Sequence, residues 1–372
     1  MRIVIAPDSF KGTLDAGAAA AALAAGWRSV RTGDQLVLRP MADGGEGTLA
    51  AVAAAVPGAA VHEVPDCTGP DGRPVTGRYA LLPDGTALVE LATASGLPLM
   101  ARAAPLSATT RGTGQTVAAA LEHGARRLLI GLGGSASTDG GAGLLCALGL
   151  RITSSDGRPL PDGGGHLSAA RRIDVGALRP PPPDGVVLLT DVTNPLLGPT
   201  GAAAVYGPQK GAGPAQVRRL EEGLARWAGL LGADPEQPGT GAAGGTGFGL
   251  AGLWGARTVP GAGAIADLLG LDAALAGADL LITGEGRYDA TSRLGKVVGE
   301  CVHRASRRTV PVLVVAGDAA ADAPRADLRE VLSLTRLAGS REAALADPAH
   351  WLFLAAARLA RTAAPVGSGA RD

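Results

Sequence analysis

Five short segments of this chain gather residue types able to manage phosphate, a metal ion and a proton. Ala6-Pro7-Asp8-Ser9-Phe10-Lys11-Gly12-Thr13 sets a carboxylate, a hydroxyl and an ammonium within four residues. That set can hold a metal-bound phosphate or a hydroxy acid; its alternative use is a helix N-cap with an ordinary ion pair. Ala42-Asp43-Gly44-Gly45-Glu46-Gly47-Thr48 carries two carboxylates on a loop with little side chain to obstruct a ligand. Asp43 and Glu46 there suit Mg²⁺ or general-base work, and Glu46 equally suits the dipole of a helix starting near Thr48. Between a strand and a helix, the run from Gly131 to Gly143 holds Gly133, Gly134, Ser135, Ser137, Thr138 and Asp139. Its glycines let backbone amides approach phosphate oxygens and its hydroxyls add donors; a bare turn is the other reading.

The fourth segment, Thr190-Asp191-Val192-Thr193-Asn194-Pro195, follows the apolar run Val186–Leu189, so Asp191 stands where a catalytic carboxylate would, or where an Asx turn would begin. Gly207-Pro208-Gln209-Lys210-Gly211 comes shortly after. In the fifth, Thr283-Gly284-Glu285-Gly286-Arg287-Tyr288-Asp289 follows Leu280–Ile282, and Gly295-Lys296 opens the next helix. Glu285, Asp289 and Lys296 suit magnesium and phosphate, with a surface salt-bridge cluster as the alternative. Lysine usage sharpens the selection. Of 34 basic residues only Lys11, Lys210 and Lys296 are lysine, Asn194 is the sole asparagine, and all four fall in glycine- or proline-rich turns beside apolar strands.

The elements that must position these segments alternate in the manner of α/β layers. Ile3–Ala6, Leu36–Leu38, Leu128–Ile130, Val186–Leu189, Leu280–Ile282 and Val312–Val315 read as short buried strands, several running directly into small polar residues. Helices are predicted from about Asp15 to Val30, from Thr48, and from Arg341 to Ala363; Pro83-Asp84-Gly85 predicts a hairpin between Val75–Leu82 and Ala87–Leu91, and Pro365–Asp372 is expected to fray. In open α/β sheets ligands sit beyond the carboxyl ends of parallel strands, which is where the polar segments fall.

Composition bounds the function. Hydrophobic residues make up 46% of 372, ample for a large core, and the length suggests two domains. Basic and acidic residues balance at 34 each, which leaves no electrostatic footprint for nucleic acid or an anionic membrane. No apolar run reaches the ~18 residues of a membrane span, and Pro7 and Asp8 follow the start too soon for a signal peptide. Cys67, Cys146 and Cys301 are odd in number and far apart, as in a reducing cytosol, so a cytoplasmic location is expected. Gly131-x-Gly133-x-x-Ala136 and Gly239-x-Gly241-x-x-Gly244 match a dinucleotide fingerprint only formally, with no acidic residue at the ribose offset. P-loop, Gly-x-Ser-x-Gly and His-Glu-x-x-His motifs are absent, and the five histidines show no metal-ligand spacing.

Taken in order, APDSFKGTL, ADGGEGT, GLGGSASTDGGAG, DVTNPLLGPTGAAAVYGPQKGA, GTGAAGGTGFGL and ITGEGRYDATSRLGK resemble the class I glycerate kinases of bacteria, over nearly the whole chain. The resemblance implies phosphoryl transfer from ATP, with Mg²⁺, to D-glycerate, usually giving 2-phosphoglycerate. It also implies a Rossmann-like parallel-sheet domain built from both chain ends (1–79 and 259–372), an inserted α/β domain (80–258), and an active site in the cleft between them. On that footing Asp191 is expected to take the proton of the glycerate hydroxyl, with Lys11 and Lys296 neutralising phosphate oxygens. Asp8, Ser9, Gly133, Gly134, Ser135, Asp139, Asn194, Lys210, Glu285 and Asp289 are expected to bind substrate or phosphate, and Asp43 and Glu46 the metal. A monomer or homodimer is expected. Two departures stand out: Ser137-Thr138 precedes Asp139 where the family usually has Thr-Asn, and Thr291 replaces a glutamine. A kinase for another small hydroxy acid, or a catalytically silent hydroxy-acid-binding regulator, would fit the same residues.

Overall fold

A computed structural model describes residues 1–293 and 295–363; the expected fraying of Pro365–Asp372 lies outside them. In chain order the strands are β1 (Arg2–Ile5), β2 (Gln35–Leu38), β3 (Ala60–Thr68), β4 (Pro74–Leu81), β5 (Thr86–Glu90), β6 (Arg127–Gly131), β7 (Arg151–Thr153), β8 (Arg172–Asp174), β9 (Val186–Leu189), β10 (Arg257–Val259), β11 (Leu280–Tyr288), β12 (Val312–Ala319) and β13 (Glu330–Ser333). The helices used below are α1 (Ala16–Arg28), α2 (Thr48–Ala55), α3 (Arg111–Glu122), α4 (Ala142–Ala147), α5 (Pro214–Leu231), α6 (Val297–Ser306), α7 (Leu334–Ala338), α8 (Arg341–Ala346) and α9 (Pro348–Thr362).

The chain divides into two units: Met1–Asp43, Ala50–Pro57 and the stretch from Pro260 onward form the first, and Gly44–Leu49 with Gly58–Val259 form the second. The inserted domain, expected at 80–258, thus takes in residues 58–79 as well. The reason is pairing: β3 runs antiparallel to β4, and β4 to β5, so the hairpin belongs to the second sheet.

In the first unit five parallel strands lie in the order β13-β12-β11-β1-β2. Counted within the unit this is the doubly wound order 2-1-3-4-5, whose switch point falls between β1 and β11. Ile3, Ile5, Leu280, Ile282, Leu313 and Val315 pack with Leu23 and Trp27 of α1 and Leu352 and Leu359 of α9. Val4, Leu281 and Val314, pointing to the other face, are also fully buried. Burial on both faces is why these strands are short unbroken apolar runs. Gly26 lets α1 meet α9, since a Cβ there would lie 2.1 Å from the Phe353 carbonyl oxygen. The single helix predicted over 341–363 is broken into α8 and α9 at Asp347, whose carboxylate accepts from the His350 amide with Pro348 opening the new helix.

In the second unit a mixed sheet runs β10-β9-β6-β5-β4-β3, parallel from β10 to β5 and antiparallel from β5 to β3. The predicted hairpin is β4–β5. Val89, Leu128, Ile130 and Leu188 form one core with Val117 of α3, Leu144 of α4 and Trp227 of α5; β7 and β8 pair separately.

Candidate active site

A cavity of about 350 Å³ lies along the carboxyl ends of the first unit's strands. Asp8, Ser9 and Lys11 reach it from the turn after β1, Asp43 from beyond β2, Glu285, Gly286 and Arg287 from β11, Asp289 from just past its end, and Asp318 from β12. The turn after β1 is fixed by its backbone: the Asp8 amide donates to the Gly284 carbonyl at 2.8 Å and the Ser9 amide to Asp8 Oδ1 at 2.7 Å. The segment from Thr283 to Tyr288, predicted as a loop after a short strand, is instead the second half of β11. It pairs with β12 as far as Tyr288↔Ala319. Glycine makes that extension possible, because a Cβ on Gly284 would sit 2.0 Å from the Val315 carbonyl oxygen.

Charge in this cavity is crowded. Burial, then the nearby Asp43, pushes Asp8 up to about 7, with Lys11 only partly opposing and Glu285 adding to the rise. Burial also raises Glu285, and its Oε1 is buried without a hydrogen-bond partner among the described residues. Lys11 is 72% exposed, with Nζ 3.9 Å from Asp43 Oδ2, a loose pair. Lys296 stands at the N-cap of α6, where its Nζ donates to Thr291 Oγ1 at 3.1 Å. Thr291 in turn donates its hydroxyl and its amide to Asp289 Oδ1, at 2.7 and 2.9 Å, and these bonds hold Asp289 below the usual carboxylate range. The threonine that departs from the family pattern therefore links carboxylate to lysine.

The second unit holds the other predicted residues. Gly44, with φ +87°, lies so close to β9 that a Cβ would be 2.7 Å from Leu189 Cβ, and one on Gly133 would be 2.4 Å from Gly45 Cα. These two glycine runs therefore pack backbone to backbone, with the Gly133 amide donating to the Gly44 carbonyl at 3.3 Å. Glu46 is exposed and does not line the cavity of the first unit. Asp191, half-buried, sits two residues beyond the end of β9.

Three of the predicted ligand-binding residues spend their polar atoms within the unit. Asp139 is fully buried and accepts from Thr110 N and Oγ1 and from the amides of Gly141 and Gly143; burial pushes it up while those donors oppose. Lys210, 4% exposed, donates to Ser135 Oγ at 2.9 Å and to the Ser137 carbonyl at 2.5 Å, and burial lowers it to about 8. Asn194 donates to the Thr200 carbonyl and accepts from the Tyr206 hydroxyl. Gly134 carries φ +73°, while Ser137 Oγ and Thr138 Oγ1, the other departure, are buried without partners among the described residues.

Sequence reasoning missed Glu90. At the end of β5 and 5% exposed, it accepts the amides of Gly47 and Leu49 at 3.0 Å each, fixing the glycine turn and the start of α2. It also missed the Asp318, Thr335 and Arg341 lining of the first unit's cavity. Among the described residues no group of three His, Cys, Asp or Glu side chains is arranged as a ready metal site, and no helix is long and apolar enough to cross a membrane.

A doubly wound sheet with carboxylates and ammonium groups at its switch point is the setting of an α/β protein that handles phosphorylated small molecules. The chain belongs to the glycerate kinase family, whose profile matches residues 3–364. It is 42% identical over 326 residues to glycerate 2-kinase of Escherichia coli K12, covering 85% of each chain. To glycerate kinase of Bacillus subtilis 168 it is 41% identical, covering 87% of this chain and 86% of that one. The crystal structure described as glycerate kinase 2 from Salmonella typhimurium LT2 superposes with a TM-score of 0.83 at 38% identity, covering 97% and 98% of the two chains. The two-domain α/β expectation is borne out.

Proposed function

We propose that this chain transfers the γ-phosphoryl group of ATP to the 2-hydroxyl of D-glycerate, as a cytoplasmic glycerate kinase of the bacterial class I type. The observation that carries the reading is the strand-end cavity of the first unit, where Asp8, Asp43 and Glu285 face Lys11 and Lys296. These carboxylates do not form a complete metal cage by themselves. Their hard oxygens, one of them without a hydrogen-bond partner among the described residues, suit Mg²⁺ that takes one or two carboxylates and completes its shell with phosphate oxygens and water. Burial, then the nearby Asp43, raises Asp8 there. Asp8, Asp43 and Glu285 are the residues that would hold the ion, which supplies charge neutralisation to the phosphate oxygens.

Phosphoryl transfer asks mainly for alignment and charge stabilisation. Lys11 and Lys296 neutralise phosphate oxygens, the latter at the N-terminus of α6, whose dipole favours anions. Asp289 holds Lys296 through Thr291, a bridge made of two hydrogen bonds. Asp191 accepts the proton of the attacking hydroxyl, and Lys210 and Asp139 hold the 133–141 loop in shape, several of its amides being engaged within the unit. All three cysteines are free thiols, which supports the cytoplasmic placement.

The test is incubation with D-glycerate and Mg-ATP followed by identification of the phosphoglycerate isomer. Magnesium-dependent 2-phosphoglycerate is expected. The 3-isomer would overturn the regiochemistry, and no turnover would favour the silent regulator. Asp191→Asn is expected to lose ~10²–10⁴ in kcat; a loss under tenfold removes Asp191 from the role of base.

A further inference from the structure

We infer that the nucleoside of the phosphoryl donor binds within the first unit, against the apolar stretch formed by α7, α8 and the start of α9; this rests on the kinase reading above. The strand-end cavity has two chemically distinct ends. Over β1 and β11 it is lined by Asp8, Lys11, Glu285 and Lys296; over β12 and β13 the apolar Leu334, Ala344, Leu345 and Pro348 line it together with Asp318, Thr335 and Arg341. Strands are spaced by ~4.8 Å, so the three steps from β13 to β1 span ~14 Å. A three-carbon acid bearing a carboxylate and hydroxyls matches neither that reach, nor a volume of about 350 Å³, nor the apolar end. A nucleoside triphosphate matches all three, with a flat apolar ring system at one end and anionic oxygens at the other.

The apolar wall is built rather than incidental. Leu345 is 48% exposed, one of a few large hydrophobic side chains among the described residues that are open to solvent, and it lines this cavity. Its helix is pinned on both sides: the Ala343 amide donates to Ser340 Oγ at 3.1 Å and Trp351 Nε1 donates to the Ala343 carbonyl at 3.0 Å. Arg341, in the first turn of α8, brings a planar guanidinium to the same wall, a group that stacks on aromatic faces. A pre-formed wall costs little ordering when a ring settles on it.

The experiment compares wild type, Leu345→Ser and Val175→Ser, the last replacing an equally exposed side chain of the second unit. MgADP and magnesium tripolyphosphate affinities are measured by titration calorimetry, with the fluorescence of Trp351, which bonds to α8, as a second readout. Leu345→Ser is expected to weaken MgADP by about tenfold, the scale of one buried leucine side chain. Tripolyphosphate affinity should stay within twofold, and Val175→Ser should match wild type for both. Unchanged MgADP affinity, equal loss of both ligands, or no MgADP binding to wild type would overturn the inference. If MgADP weakens as expected but wild type phosphorylates no D-glycerate, the nucleoside site stands and the acceptor reading falls.

Discussion

Asp8→Asn separates the two things a buried carboxylate does, carrying charge for function and opposing folding. Asp8 is pushed up from its ordinary 3.8 to about 7, chiefly because it is buried and secondly because Asp43 lies close. At ~1.4 kcal/mol per unit, the difference amounts to about 4 kcal/mol between its protonated and ionised native forms. The sign follows from the raised value. Below about pH 4 the carboxyl is protonated in both folded and unfolded states and Asp8 contributes its full stability. Between about pH 4 and 7 the unfolded chain ionises and the native one resists, so stability is lost until both are charged. Asparagine keeps the shape without the charge and should show none of this loss. Urea unfolding in EDTA, followed from pH 4 to 8.5, should give matching stabilities at the acid end. At the alkaline end the variant should lead by several kcal/mol, about 4 as an upper bound. The same substitution should cut phosphoryl transfer steeply, the pattern of a site where function is held at the expense of stability. Parallel curves for the two proteins across this range would refute the account of Asp8 as a buried charge.

Other substitutions probe the supports. Lys210→Met removes the buried donor to Ser135 Oγ and the Ser137 carbonyl and should destabilise by about 1–3 kcal/mol in urea unfolding; a loss under about 0.5 kcal/mol would show that Lys210 does not hold the loop. Thr138→Val removes a buried hydroxyl that has no partner among the described residues, so thermal unfolding should show no loss, or a gain of up to about 1 kcal/mol. Gly44→Ala drives a methyl to 2.7 Å from Leu189 Cβ at φ +87° and should cost about 1–3 kcal/mol by the same assay.

Much of the fold was legible because strands buried on both faces carry an unmistakable text: Ile3–Ile5, Val186–Leu189 and Val312–Val315 needed no partner to be recognised. The second half of β11 was not, since glycine and charge within Thr283–Tyr288 argue locally against a strand. Only the approach of Gly284 to Val315 explains why glycine belongs there. The placement of 58–79 was equally hidden, because nothing in a hairpin says which sheet it will join. Within the candidate site, scarcity of lysine picked out three residues in three different settings. Lys11 is exposed, Lys296 caps a helix and Lys210 is buried in bonds to its own unit. Composition marks that a residue is kept, not whether it meets a ligand or props up the loop that does. Glu90 left no trace at all, a lone glutamate ending a strand; its partners Gly47 and Leu49 lie more than 40 residues away.

The discontinuous strand order has a consequence for biogenesis. Ile3 pairs with Leu280 as well as with Leu36, so β1 leaves the ribosome long before its second neighbour, β11, exists. A nascent chain that has reached Val259 already holds every strand of the mixed sheet, but only β1 and β2 of the parallel one. Synthesis therefore delivers one sheet complete while the other waits, an apolar pair with an open edge, for the last third of the message. Stalling translation between Val259 and Leu280 should yield chains that chaperones retain, and release past Ser333 should free them.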